Sequence, residues 1–369
     1  MKQFLQILIF LCLSITTHAQ SNLEAKALYQ VAEEKFDAKQ YTEALNYLNK
    51  SEEAFGKSNP DIAYLRVMVV QQALKDSDDK LKAFSMLNEL EKAIDKFENT
   101  KQKEALGEDK QMAVMRIKIE LPELKKKYET PEMQYKMAKS YKEGKNGFEK
   151  DEKLYDEWII KASENGYSDA QYDLAIDYAF KKDYEKTKYW LSQAVEDNNV
   201  TAINAMGYFY KNGLCGFSKD YIKADEWYKK TLAVAIKQED EFYQIEALAS
   251  LGELYYLPDN KQATLTIDYY EKAIAVRKDN YKTRITLATI YYADAEVKDY
   301  AKATQYLEEA FTQLSAEAAK DRDAGEDLVK FVPENAYKLI DMYTTGGNKL
   351  KKNTKRAAFW QNIKDSTDK

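Results

Sequence analysis

Catalysis near neutral pH draws mostly on imidazoles, thiolates or carboxylates in contrasting surroundings. This sequence has one histidine, His18, and two cysteines, Cys12 and Cys215. His18 and Cys12 fall in an N-terminal apolar segment that reads as a cleavable leader. The rest of the chain then has no histidine for a Ser-His or Cys-His pair or a histidine metal site. It also has too few cysteines for an internal disulfide. Cys215 sits in a glycine-bounded turn where another copy of the same segment carries Asn146, so it reads as a small loop residue rather than a reactive thiol. The chain has 62 carboxylates. Asp76, Asp78 and Asp79 surround Ser77, and Glu164 and Asp169 flank Gly166. Neither group has the spacing of a calcium loop, and no pair is specified as a glycosidase dyad. They read as solvated charge. The expectation is a non-enzyme with no catalytic residue, metal ligand or cofactor site; a Glu/Asp hydrolase ranks last among the readings.

The leader reading rests on Lys2, an apolar run from Phe4 to Ile15, and Thr17-His18-Ala19 as a small-x-small cleavage pattern. The run is too short to span a bilayer. Cleavage after Ala19 would send a soluble chain across the inner membrane, to the periplasm or beyond. No later stretch is apolar enough for a transmembrane segment. Net charge is −6, and the arginines are only Arg66, Arg116, Arg277, Arg284, Arg322 and Arg356. That composition argues against a nucleic-acid partner.

The chain repeats itself. Tyr141-Lys-Glu-Gly-Lys-Asn-Gly-Phe-Glu-Lys-Asp151 recurs as Tyr210-Lys-Asn-Gly-Leu-Cys-Gly-Phe-Ser-Lys-Asp220, and Asp156-Glu157-Trp158 as Asp225-Glu226-Trp227 in the same register. Around these segments runs a common beat of a large apolar residue, a small residue and a tyrosine at i, i+1 and i+4. Examples are Met137-Ala138-Tyr141, Leu174-Ala175-Tyr178, Met206-Gly207-Tyr210, Leu251-Gly252-Tyr255 and Leu287-Ala288-Tyr291. All three lie on one side of a helix, with the small residue where a second helix must approach closely. That second helix is marked by Trp158 and Ala162, Trp190 and Ala194, Trp227 and Thr231, Tyr270 and Ile274, and Tyr306 and Ala310. A low count of glycine and proline, 12 and 5, fits a nearly all-helical chain.

Tyr-x-x-Gly-x-x-Gly-Phe-x-Lys-Asp followed by Asp-Glu-Trp resembles the Sel1-like repeat, a longer-looped relative of the tetratricopeptide repeat (TPR). The shorter unit at 170–201 resembles a TPR in length, as does the N-terminal pair built on Ala32, Phe36, Tyr41-Thr-Glu-Ala44 and Leu48. The resemblance implies an all-α, right-handed α-solenoid of stacked helix-turn-helix repeats, used as a scaffold for other proteins. The organisation expected is a signal peptide at 1–19, TPR-like helical repeats at 20–130, Sel1-like repeats at 131–240, mixed TPR/Sel1-like repeats at 241–316, and capping helices at 317–369. No motif is recognised after about 317. Pro122 is expected to kink or end the helix over 111–127. Thr130-Pro131-Glu132 and Val332-Pro333-Glu334 read as helix starts, and Gly346-Gly347 as a helix end. Lys349 to Arg356 is a basic, solvated cluster before an amphipathic tail with Phe359 and Trp360, expected to cap the open end of the stack.

In such a solenoid the first helix of each pair lines the concave wall. Among the 29 tyrosines, those on the core stripe are explained by packing. Tyr135, Lys139 and Lys142 lie beside that stripe, and by register Tyr172, Asn204, Tyr208, Lys211, Tyr256 and Tyr292 face the groove. Aromatic bodies with polar tips suit an interface; they also suit shielding of the core between repeats. The leading expectation is a groove that binds a protein or peptide through tyrosine anchors, with lysines reaching carboxylates. The alternative is a cell-envelope glycan stacked on the same tyrosines.

Overall fold

Each copied segment closes a loop between two helices, and the copies close in the same way. The structure, a computed structural model, describes residues 22–56 and 59–367. The leader residues, with His18 and Cys12, lie outside them. In the first copy the amide of Asp151 donates to the carbonyl of Tyr141 at 3.1 Å, and Asp220 donates to Tyr210 in the second at 2.8 Å. Each aspartate then caps the next helix. Asp151 Oδ1 accepts from the Leu154 amide and Asp220 Oδ1 from the Lys223 amide, both at 3.0 Å, which satisfies an orphan donor of the first turn. The glycine positions require a left-handed backbone: φ is 65° at Gly144 and 66° at Gly213, where a side chain would be strained. Asn146 and Cys215 occupy the same left-handed position at 58° and 53°, which accounts for the asparagine-cysteine exchange. Tyr141 meets Phe148 and Tyr210 meets Phe217, each pair with ring centroids 5.0 Å apart.

The described residues are helical throughout apart from connections, as the periodicity implies, and no strand occurs among them. The chain divides into two compact units, 1–170 and 171–369. In the first, α1 (22–37) and α2 (Tyr41–Phe55) pack through Ala32, Ala44 and Leu48 onto α3 (Pro60–Lys75). Buried Val67, Val70 and Leu74 of α3 continue into Phe84, Leu87, Leu90 and Ile94 of α4 (Lys80–Glu98). α5 (Glu108–Tyr128) follows. Then come α6 (Pro131–Glu143) and α7 (Glu152–Glu164), the pair joined by the first copied segment. Thr130 caps α6 as its sequence indicates, with Oγ1 accepting from the Met133 amide at 3.3 Å. Pro122 does not end α5, which runs through it to Tyr128. Leu121 before the proline and Leu124 and Tyr128 beyond it pack against the core; their partial burial offsets the lost backbone bond.

The second unit holds most of α8 (Ser168–Phe180), then α9 (Tyr184–Glu196), α10 (Val200–Asn212), α11 (Tyr221–Lys237), α12 (Glu241–Leu254) and α13 (Ala263–Val276). It ends with α14 (Tyr281–Ala293), α15 (Tyr300–Ala318), α16 (Arg322–Thr345) and α17 (Thr354–Thr367). The expected close approaches occur at the small residues. A Cβ on Gly207 would lie 2.6 Å from two ring carbons of Tyr228, and one on Gly252 would lie 3.0 Å from the ring of Tyr270. The partner on the second helix is thus the residue after Trp227, not the tryptophan itself. Read in that register, glycine on the first helix opposes tyrosine on the second (Gly207 and Tyr228, Gly252 and Tyr270). Alanine falls opposite leucine (Ala175 and Leu191, Ala288 and Leu307), and all of these are buried. In the same register Tyr269 stands in the place of Trp227 and Ala273, fully buried, in that of Thr231, where Tyr270 and Ile274 were expected; Ile274 is only partly buried.

Two readings of the C-terminal region are corrected. Pro333 does not start a helix; it lies inside α16, where the buried side chains of Phe331 and Val332 join the core that α15 and α17 share. The region after 317 also contains a repeat. The Asn353 amide donates to the carbonyl of Tyr343 at 2.8 Å, the same closure as at Tyr141 and Tyr210. Asn353 caps α17, its Oδ1 accepting from the Arg356 amide at 3.0 Å. Trp360 then stands at the same distance from Tyr343 as Trp158 does from Tyr141. Gly346 and Gly347, with φ of 67° and 83°, end α16 as read. Trp360 is 1% exposed. Its indole, the Arg356 guanidinium and the Tyr343 hydroxyl all donate to Glu308 Oε1, at 3.1, 2.7 and 3.0 Å. One carboxylate of α15 therefore holds α16 and α17.

Candidate binding groove

The first helices of the second unit, α8, α10, α12 and α14, line two cavities that meet over α12. One, of about 600 Å³, is bounded by Tyr172 and Ile176 of α8, by Thr201, Asn204 and Tyr208 of α10, and by α12. The other, of about 550 Å³, runs from α12 to Tyr281, Thr283 and Thr286 of α14. Phe242, Glu246, Ser250 and Glu253 of α12 border both. They recur every three or four residues and so form one face of the helix.

The floor is supplied by the second helices. Tyr228 of α11 and Tyr270 of α13 reach the cavities over Gly207 and Gly252. A larger residue at either glycine would close the passage that brings these rings to the groove. Burial, with the charge of Glu253 close by, raises the Tyr228 hydroxyl pKa well above the ordinary range. Burial likewise pushes Tyr270 up to about 12. Both phenols therefore stay neutral and serve as wall, not as acids. At the rim, Phe242 is 59% and Tyr208 49% exposed. Two exposed rings bordering one cavity offer apolar contact area to an occupant. Tyr243 is held at the edge by a 2.6 Å hydrogen bond with Thr201 Oγ1.

The structure brings together Tyr172, Asn204, Tyr208 and Lys211, four of the residues expected from register. Lys211 does not point outward. It is 7% exposed, and its ammonium pairs with Glu253 at 2.9 Å. Tyr256 and Tyr292 lie further along the array and border neither cavity. Tyr256 packs into the core, where burial and then Asp294 raise its pKa. Tyr292 stacks on Tyr300 with centroids 5.8 Å apart and donates to Asp341 at 3.1 Å. Tyr135, Lys139 and Lys142 are in the first unit. Tyr135 packs on Tyr167 with centroids 5.1 Å apart, Lys139 lies 5.9 Å from its ring, and Lys142 donates to Tyr155 Oη at 3.0 Å. Sequence reasoning missed Phe242, Tyr243, Glu246, Ser250 and Glu253. The signal was present: Glu246 and Glu253 are in register with Thr201 and Tyr208 on the preceding first helix.

Among the described residues no group of histidines, cysteines and acids converges to hold a metal, and no helix is long and apolar enough to cross a membrane. Cys215 is half-buried against Phe209 and its neighbours, and burial raises its thiol pKa.

No family model and no curated protein matches the chain. Solved structures do. A Sel1 repeat protein from Oxalobacter formigenes is 20% identical, with a TM-score of 0.45 over 78% of this chain and 97% of its own. The C-terminal part of a TPR repeat-containing protein from Cytophaga hutchinsonii is 16% identical, with a TM-score of 0.38 over 81% and 99%. A protective antigen of uropathogenic Escherichia coli is 17% identical, with a TM-score of 0.34 over 94% and 79%. The recurrent tyrosine-to-cap closures, the glycine-bounded loops and the small-on-large helix contacts make this chain an all-α protein of stacked helix-turn-helix repeats, similar in fold to these Sel1 and TPR repeat structures.

Proposed function

We propose that the chain is a non-enzymatic scaffold that binds a protein or peptide segment in the groove over α8, α10, α12 and α14. The observation that carries this reading is the continuity of the two cavities across α12, with Phe242 and Tyr208 exposed at the rim. An extended occupant can lie across successive first helices, and exposed aromatic rings above a pre-formed wall are the usual anchors of such contacts. The lysines do not support the expected carboxylate recognition here, since Lys211 is buried against Glu253.

The double substitution Tyr208→Ala with Phe242→Ala removes both exposed anchors and touches no core glycine or cap. It should weaken capture of a partner from an envelope extract by at least about tenfold while leaving helicity unchanged. A partner held equally by the double variant would reject the groove.

We also propose that the protein acts outside the cytoplasm, on the reading of residues 1–19 as a leader. N-terminal sequencing of the exported chain should begin at Gln20. An intact Met1 on protein recovered from the envelope would reject that cleavage.

A further inference from the structure

The groove is polarised, and the polarity follows the helix order. Within the second unit α8, α10 and α12 carry carboxylates at positions 173, 177, 241, 246 and 253 against a single cation, Lys211, while α14 carries Lys282 and Arg284. Between these helices, the second helices carry Lys186 and Lys188 with Glu185 and Glu196 on α9, and Lys223, Lys229, Lys230 and Lys237 with only Asp225 and Glu226 on α11. The balanced composition of the whole chain conceals this separation.

Within the groove most charges are matched. Lys211 pairs with Glu253 at 2.9 Å, Arg277 with Asp279 at 3.0 Å, and Lys282 with Asp327 at 3.5 Å. Glu246 is the exception: it borders both cavities, and no cation pairs with it among the described residues. On α10, bordering the same cavity, Asn204 Oδ1 is shielded from solvent and has no hydrogen-bond partner. One turn before Glu246 stands exposed Phe242, and exposed Tyr208 borders the same cavity. A carboxylate, an unused carbonyl acceptor and two aromatic rings form a receptor for a group that is cationic, rich in N–H donors and carried on an apolar stem. A lysine or arginine side chain has all three properties.

Resting on the groove reading above, we propose that the occupant is a basic peptide segment whose lysine or arginine is received at Glu246, between Tyr208 and Phe242. The excess of carboxylates over cations on α8, α10 and α12 adds long-range attraction for such a segment.

The test is selection of a random peptide library on the immobilised chain and on three variants. Glu246→Gln removes the charge and keeps the shape. Glu185→Gln makes the same change in net charge on α9, where the side chain is 92% exposed. Phe242→Ala removes an anchor. Retained peptides should be enriched in lysine and arginine on the wild type and on Glu185→Gln, and bind about tenfold more weakly to Glu246→Gln, as for one lost charge-assisted hydrogen bond. Basic peptides held equally by Glu246→Gln would overturn the assignment. Acidic or uncharged peptides that depend on Phe242 would overturn the cationic occupant and leave the groove standing. Failure to retain any peptide would sink both.

Discussion

Replacing Gly207 by alanine should destabilise the protein, and replacing Tyr228 by leucine in the same chain should restore much of the loss. The new Cβ would stand 2.6 Å from two carbons of a ring that is 1% exposed, so ring or backbone must move. Overpacking of this kind costs about 1–3 kcal/mol. The helical preference of alanine over glycine returns up to about 1 kcal/mol, leaving a net loss of about 2 kcal/mol at the tight end. Tyr228→Leu alone leaves a void and should also destabilise, by about 2–3 kcal/mol. Together the two changes create the alanine-leucine pair that the chain already uses at Ala175 and Leu191 and at Ala288 and Leu307. Thermal unfolding of the wild type, both single variants and the double variant measures the coupling. Additivity within about 0.5 kcal/mol would mean that the two positions do not constrain each other. Gly252→Ala provides an internal scale. Its Cβ would meet the Tyr270 ring at 3.0 Å rather than 2.6 Å, and its cost should be smaller.

Glu308→Ala should cost about 2–3 kcal/mol and loosen the C-terminal hairpin. Glu308 Oε1 is the shared acceptor of Arg356, Tyr343 and Trp360. Removing it strands an indole N–H that is buried with its ring, and hydrogen bonds to a charged group contribute about 1.5–3 kcal/mol. The carboxylate is 24% and Arg356 42% exposed, so water compensates part of the loss at the guanidinium. Limited proteolysis should cut the variant first between α16 and α17, and unchanged proteolysis and unfolding would show that apolar packing of Trp360 is sufficient. The same carboxylate predicts an acid limb. Burial tends to raise its pKa, but the bonds from Arg356, Trp360 and Tyr343 outweigh burial and hold it below the usual glutamate value. Its contribution is therefore complete above the unfolded value of about 4.3 and is lost as pH falls through the lower folded value. The Ala variant should lack that part of the acid destabilisation.

The repeats were legible because their constraints are local. A capping aspartate, a left-handed glycine and a small residue opposite a large one each leave a mark within one hairpin, and Ala138 to Ile159 contains all of them. The final hairpin escaped because it meets the same constraints with other residues. Asn353 caps in place of aspartate, Gly346 and Gly347 are adjacent, and Leu350 stands where Phe148 and Phe217 do. The ending expected at Pro122 and the start expected at Pro333 do not occur, because propensity was weighed without the burial around them. The groove was half legible. Register on the first helices located Tyr172, Asn204 and Tyr208, but the partner of Lys211 is on the next first helix, and no local pattern announces a contact with Glu253. Phe242 and Glu246 lie off the tyrosine stripe that guided the reading.

The loop closures from Tyr141 to Asp151, Tyr210 to Asp220 and Tyr343 to Asn353 have a kinetic consequence. Each binds a hairpin to itself across a short span of chain, so little loop entropy is lost at any one step. Contacts so close in sequence favour rapid assembly, and hairpins can form and dissolve in succession rather than all at once. A newly emerged hairpin can thus settle before its successor is available, and strain applied to the chain would be relieved one hairpin at a time.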